Sequence, residues 1–505
     1  MIDAQSPGRV CVIGAGISGL VSAKTLAGDG FDVTIFEKES ALGGVWAPSR
    51  TYPGLRTNAT RETYPFSDHP YPDTADKFPS APQVRDYLRS YAERFQIVSK
   101  IELNSEVTEV ARNAARDSWQ VTTRKLGETR THQFDFVVVC NGVFSKPNFP
   151  EIEDISRFAG AVVHSSQSIK PEDMKGKRIV VVGAGKSAAD CAVFAAHEAQ
   201  SSTLLFRRPH WLLPRYAFGF INMEFIATSR FIEAFMPYYK LTPLEDFLHR
   251  KSPLLARILD RIVLSLFRLN MRMPKELYPG IMPLAHAFET SGFVTDFYRL
   301  ARKGTIKAKR AEIQRAVDGR TLMLTNGETL EADLLICATG WKQETPFLEA
   351  SVREQVCSAE GFHLYRTILP PALPTMGFIG YNSSNCCPIS SEIAANWLSD
   401  VFLGRTHLPS IAEMENDIAD MRRWIERELP DHRGGYFIGP FVSHHIDDLM
   451  RDMGLPTRRV RNVLAEHFLP RWPTRYATVA QERRDCRLKP LSHAGDTHAV
   501  AATSV

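Results

Sequence analysis

Apolar positions along this chain gather into short uninterrupted runs, and two of those runs lead into the same kind of turn. Arg9-Val-Cys-Val-Ile-Gly-Ala-Gly-Ile-Ser-Gly has a counterpart in Arg178-Ile-Val-Val-Val-Gly-Ala-Gly-Lys-Ser-Ala. Each is a β-branched run, then a glycine-rich turn, then an alanine-rich helical pattern, which is how a βαβ unit opens. Two further runs, Phe134 to Gly142 and Ala332 to Gly340, end in small residues that let a ligand or another backbone come close. Runs without polar alternation suit strands buried on both faces of a parallel sheet.

The doubled pattern predicts an α/β fold with two Rossmann-like dinucleotide-binding domains, the second inserted in the first. The expected layout is a first part of one domain over 1–170 and a second domain over 171–325. The first domain then resumes over 326–480, and a loose polar tail follows over 481–505. Segment 42–84, rich in Pro, Tyr, Gly and Asn, reads as an irregular loop of the kind that crosses active sites. Segment 217–300 is apolar and helical in period, and predicts a helical insertion that serves as a lid or a dimer surface. Within it, Leu254 to Met271 alternates apolar residues with Arg and Asp, a pattern that also permits a helix lying on a membrane surface.

The turns carry the candidate chemistry. In Gly14-x-Gly16-x-x-Gly19 the first glycine makes the tight turn, the second admits a pyrophosphate, and the third allows the helix to pack on the sheet. The helix N-terminus then faces the phosphates with its partial positive charge. Glu37, 23 residues after Gly14 and followed by Lys38, ends the next strand-like run, where a carboxylate can accept from ribose hydroxyls. Gly183-x-Gly185-x-Ser187 repeats the arrangement, with Ala189 or its small neighbours in place of the third glycine. Here the strand-like run ends in Arg207 and Arg208 instead of an acid. Guanidinium groups would clamp a 2′-phosphate that a carboxylate would repel. The first unit therefore reads as the FAD site and the second as the NADPH site, unless the two arginines are only a solvated pair. Gly43-Gly44-Val45-Trp46 adds two glycines that permit close backbone approach and an indole face for a ring system, or for core packing.

Composition narrows the field. The 505 residues have 44% hydrophobic and 23% charged content, ordinary for a globular protein of a few domains. A net charge of +4 from 61 basic and 57 acidic residues argues against a nucleic-acid partner. Eight cysteines with no C-x-x-C pair give no support for a zinc site or any other metal centre. No signal peptide and no apolar run of membrane-spanning length are visible, so the expectation is a reduced, cytoplasmic protein.

Taken together, the chain resembles the class B flavoprotein monooxygenases, and within them the flavin-containing monooxygenases, over roughly residues 8–455. The markers are the two turns in this order, Gly43-Gly44-Val45-Trp46, Phe158-x-Gly160-x-x-x-His164, the run Cys140 to Pro150, Cys337-Ala-Thr-Gly-Trp341 and Gly377-Phe-Ile-Gly380. The stretch Thr57 to Asp68 matches the family segment with an active-site Asn, which would place Asn58 beside the flavin ring and the nicotinamide. An amide there can donate to and accept from a hydroperoxide without titrating. The resemblance implies that NADPH reduces FAD, that O2 adds to give a C4a-(hydro)peroxyflavin, and that a small organic substrate takes one oxygen. N- or S-oxygenation of a hydrophobic metabolite is the leading reading, with Baeyer–Villiger oxidation of a ketone as the alternative. In the family an aromatic residue four after the fingerprint His tells the two apart, and here that position is Ser168, which matches neither. A disulfide reductase or an NADPH oxidase is the alternative of another class. The only vicinal thiols, Cys386-Cys387, lie late in the chain and are awkwardly placed for a disulfide. His164 reads as packing at a domain junction, and a homodimer is the default assembly.

Overall fold

A computed structural model describes residues 6–488 except 168, 290–291, 359, 383, 385, 430–438 and 440. Ser168 and the end of the chain beyond 488 therefore lie outside the described residues. The first apolar run is the strand Arg9–Ile13, and it forms the middle of a five-stranded parallel sheet. Asp32–Phe36 and then Ile101–Glu102 lie on one side of it, Phe136–Val139 and then Met376–Phe378 on the other. Val10, Val12, Val33, Ile35 and Val138 are almost wholly buried, as runs without polar alternation require. On one face the helices Ile17–Gly28 and Cys387–Phe402 pack together, the latter buried at every position from Pro388 to Phe402. On the other face Trp119, Val121 and Phe134, from an antiparallel sheet of Glu106–Asn113, Ser118–Lys125 and Glu128–Phe134, join Ile13, Phe36 and Val137 in one cluster.

The second sheet is also five-stranded and parallel, with Arg178–Val182 at its centre. Ser201–Phe206 and Ile306–Arg310 extend it one way, Leu334–Cys337 and Ala161–His164 the other. Two boundaries expected from sequence therefore move. The strand Ala161–His164 joins the second unit before residue 171, and Leu334–Cys337 pairs with Arg178–Val182 instead of opening the return to the first sheet. The strand that does return is Met376–Phe378.

The described residues of 217–300 form a largely helical insertion, with the short helix Met223–Ala227 and the 19-residue helix Pro253–Met271 among its elements. The end of the chain also departs from expectation. Arg483 lies in the helix Val479–Leu488, is 3% exposed, and forms ion pairs with Asp29 and Asp400, so the tail does not begin at 481. Among the described residues all eight cysteines are free, and no helix is long and apolar enough to cross a membrane.

Candidate functional site

Both glycine turns sit at the C-terminal ends of central parallel strands, where open α/β sheets bind ligands. In the first, a Cβ on Gly19 would lie 1.8 Å from the Gly14 carbonyl oxygen, and one on Gly14 would lie 2.7 Å from the carbonyl of Cys140. Those two glycines let strand, turn and helix close on one another. Gly16 stands at the start of the helix Ile17–Gly28, which has no side-chain cap and no acid in its first turn. Its first amides are thus left to a ligand, and an anion is favoured there. Gly43 donates to the Ala15 carbonyl at 2.9 Å, and Gly44, with φ +58°, lies so close to Gly16 that its own Cβ would be 3.2 Å from the Gly16 Cα. Trp46 turns into the core, edge-to-face with Tyr64 at 6.1 Å. Glu37 is buried, and its carboxylate accepts from the amides of Ala15 at 2.7 Å and Glu39 at 2.9 Å, while Lys38 beside it is exposed.

The second turn repeats this architecture. A Cβ on Gly183 would lie 2.2 Å from the Ala338 carbonyl oxygen, whereas one on Gly185 would meet nothing within 4 Å. The helix Lys186–Glu198 again starts without a side-chain cap or an early acid. Ser187 is half-buried in its first turn. Arg207 and Arg208 follow directly on the strand Ser201–Phe206 and are both exposed. The Arg207 side chain is 80% exposed, and its contact with Glu312 at 3.6 Å is a surface pair of the kind that contributes little. Its guanidinium can therefore exchange partners at small cost.

Loop 42–84 runs from the first unit onto the second. The Tyr52 hydroxyl donates to Asp190 at 3.0 Å, and Asp190 also pairs with Lys186, one residue past the second glycine turn. Asn58 is half-buried, and its Oδ1 accepts from the Phe293 amide of the insertion at 3.4 Å. The neighbouring Thr57 carbonyl accepts from Arg215 at 2.9 Å, and Arg215 also stacks on Phe78 at 4.2 Å. Burial lowers the pKa of that guanidinium. The Thr60 amide donates at 2.7 Å to Glu224, whose other oxygen accepts from Thr63. Glu224 is 1% exposed, and burial pushes its carboxyl up to about 7.

The structure thus brings the two sets of glycines to two separate helix N-termini and sets Asn58 on the loop that joins the units. Glu224, Arg215 and Asp190 were not singled out from the sequence. His164 is saturated by Ser166 at 2.8 Å and the Gly340 carbonyl at 3.0 Å, as expected of a junction residue. Cys140 adjoins the first turn, and Cys387 lies beside Ser18 in the first turn of the helix that follows it. Burial raises the thiol pKa of both Cys386 and Cys387.

A glycine turn running into an uncapped helix N-terminus at each of two parallel sheets, with a buried acid after the first and arginines after the second, fits a flavoprotein oxidoreductase with two dinucleotide sites. The residues present fit FAD and NADPH, because the turns are closed where a Cβ would strike backbone and open at Gly185. The sequence profile of the flavin-binding monooxygenase-like family matches residues 7–433, and the chain belongs to that family. A probable flavin-containing monooxygenase 1 of Arabidopsis thaliana is 30% identical, with 96% of this chain and 98% of that protein covered. Among solved structures, S-allyl-L-cysteine S-oxygenase from Allium sativum superposes with a TM-score of 0.61 at 21% identity, covering 95% of this chain and 94% of that one. Cyclohexanone monooxygenase from Rhodococcus sp. Phi1 bound to NADP+ superposes at 0.65 with 18% identity, covering 88% and 97%. The protein is an FAD- and NADPH-dependent monooxygenase that uses O2 on a small-molecule substrate.

Proposed function

We propose that the chain oxygenates a soft nucleophile, an amine nitrogen or a sulfide sulfur of a hydrophobic metabolite. The first turn, with Gly14, Gly16, Gly19, Glu37 and Gly44, holds FAD, and the second, with Gly183, Gly185, Ser187, Arg207 and Arg208, holds NADPH. FAD, once reduced by NADPH, supplies the activation of O2. This chain's own residues bind, orient and exclude water. Uncapped amides at Gly16 and Gly185 hold the two pyrophosphates. Glu37, fixed by two backbone amides, accepts from the ribose hydroxyls of FAD in this reading. Arg207 and Arg208 select the 2′-phosphate.

The observation that carries the reading is the placing of Asn58. Its amide lies on the loop between the two units, tied to Phe293, and it keeps the same charge at every working pH. A neutral donor there leaves a bound oxygen its proton, and a protonated oxygen donor suits attack by an electron-rich nitrogen or sulfur. The test is NADPH consumption by the FAD-loaded enzyme against sulfides, tertiary amines and ketones, with product identified by mass spectrometry and released peroxide measured. Sulfoxide or N-oxide formation supports the proposal, and Asn58→Ala should then turn NADPH consumption largely into peroxide release. Turnover of ketones to esters alone would replace the proposal with the Baeyer–Villiger reaction.

A further inference from the structure

Four arginines, Arg230, Arg459, Arg471 and Arg475, line one small cavity together with Glu466 and Tyr476. Arg230 opens the helix Arg230–Glu233 of the insertion, and it donates to Glu466 at 2.9 Å and to the Thr457 carbonyl at 3.2 Å. The cavity therefore sits where the insertion meets the chain beyond residue 455. None of its lining residues belongs to either glycine turn or to loop 42–84. Its volume is about 10 Å³, close to the room that one water-sized occupant needs.

Two of the four guanidinium groups are fully paired. Asp447 accepts from Arg230 at 2.5 and 2.8 Å, and Glu482 accepts from Arg459 at 2.6 and 2.8 Å. Glu466 is spent as well. One of its oxygens accepts from Arg230, the other from the amides of Arg459 and Val460 at 3.2 and 2.9 Å. Arg471 is different. It is 5% exposed, and Nη2 alone has a partner, Glu233 at 2.8 Å. Its Nε and Nη1 are buried with no acceptor among the described residues. Arg475 forms no ion pair among them either, and its guanidinium stacks on Trp472 at 4.5 Å. Burial lowers the Arg475 pKa, and the charges of Arg230 and Arg471 lower it further against the pull of Glu466. Positive charge in this corner is thus short of acceptors.

We propose that this cavity binds one monatomic anion, chloride or another halide, which accepts from Arg471 and shares the charge of Arg475. Four guanidinium groups repel a cation, and a polyatomic anion such as phosphate needs more room than the cavity has. A water molecule would bring two hydrogens of its own to a lining whose carboxylate is already spent, whereas a halide only accepts. Hydrogen bonds to a full charge are stronger than those to a neutral acceptor, and charges attract more strongly away from water. The ion fastens the insertion to the chain beyond residue 455, and so stabilises the folded enzyme by binding it in preference to the unfolded chain. The inference does not depend on which atom of the substrate is oxygenated.

The experiment is thermal unfolding of the full-length FAD-loaded enzyme while chloride replaces gluconate, an anion too bulky for the cavity, at constant ionic strength. The melting temperature should rise by about 1 °C for each tenfold increase in chloride once the site begins to fill. Two variants are compared with the parent. Arg471→Lys keeps a cation for Glu233 and removes the free guanidinium donors, and Arg475→Gln removes the second charge without touching Glu233. Both should lose most of the chloride dependence, and if Arg471→Lys does not fold, Arg475→Gln decides. Crystals of the parent holoenzyme soaked in bromide should show an anomalous diffraction peak in the cavity, in contact with Arg471. Equal melting temperatures in chloride and gluconate overturn the proposal, and so does equal chloride dependence in parent and variants. A bromide peak without the stabilisation marks an adventitious ion only, and density without an anomalous signal marks a water, and either result overturns it as well.

Discussion

Glu224 is the buried acid whose removal tests the site most directly. Its carboxylate is 1% exposed and accepts from the Thr60 amide and the Thr63 hydroxyl, two and five residues after Asn58. Burial raises its pKa from 4.5 to about 7, with Glu62 nearby adding to the rise. At 1.36 kcal/mol per pH unit this is about 3 kcal/mol between the protonated and ionised folded states. The folded form binds the proton more tightly than the unfolded chain. The stability from that preference is complete below pH 4.5, falls as pH rises through the window to about 7, and is gone above it. Glu224→Gln can keep both contacts, because the Thr63 hydroxyl can also accept, and it has nothing to titrate. The difference in unfolding free energy between Glu224→Gln and the parent should therefore rise by about 3 kcal/mol from pH 4.5 to 8. Urea unfolding of both proteins across that range reads it, and the difference cancels groups common to both. Glu224→Ala should instead leave the Thr60 amide buried without a partner, at a cost of about 1–3 kcal/mol. It should also loosen the Asn58 turn, raising peroxide release per NADPH while Glu224→Gln stays close to the parent. Parallel pH profiles for parent and Gln variant, or unchanged coupling in the Ala variant, would refute the reasoning.

Other outcomes follow from the same geometry. Arg207→Ala and Arg208→Ala should each raise KM for NADPH by about 10- to 100-fold, the value of one charge-assisted hydrogen bond, and leave KM for NADH unchanged in steady-state assays. Gly19→Ala should yield protein without flavin absorbance, because its Cβ would sit 1.8 Å from a backbone oxygen, whereas Gly185→Ala has no neighbour within 4 Å and should fold and load FAD normally. Arg483→Ala removes the guanidinium that pairs with the buried carboxylates of Asp29 and Asp400 and should destabilise the fold by about 3–5 kcal/mol in denaturant titration, against no change for the exposed Arg484→Ala.

What the sequence disclosed and what it hid divide along a physical line. The doubled unit was legible because a glycine that must admit a backbone oxygen, as Gly14, Gly19 and Gly183 do, leaves its mark at the position itself. Pairing leaves no such mark. Phe136–Val139 and Leu334–Cys337 are both four-residue apolar strands followed by small residues, yet one lies in the first sheet and the other in the second. Nothing within either strand names its neighbour, which is set by the path of the chain between them. The same holds for buried charge. Glu224 answers to Thr60 across 164 residues, and Arg483 to Asp29 across 454, so each reads locally as an ordinary polar residue. In the helix Pro253–Met271 periodicity identified an amphipathic element but not its orientation. Leu264 and Met271 could have been turned outward and Leu254 and Ile258 inward with no change in the pattern. Only the packing of the insertion against the core decides which face of the helix is buried and which stays exposed.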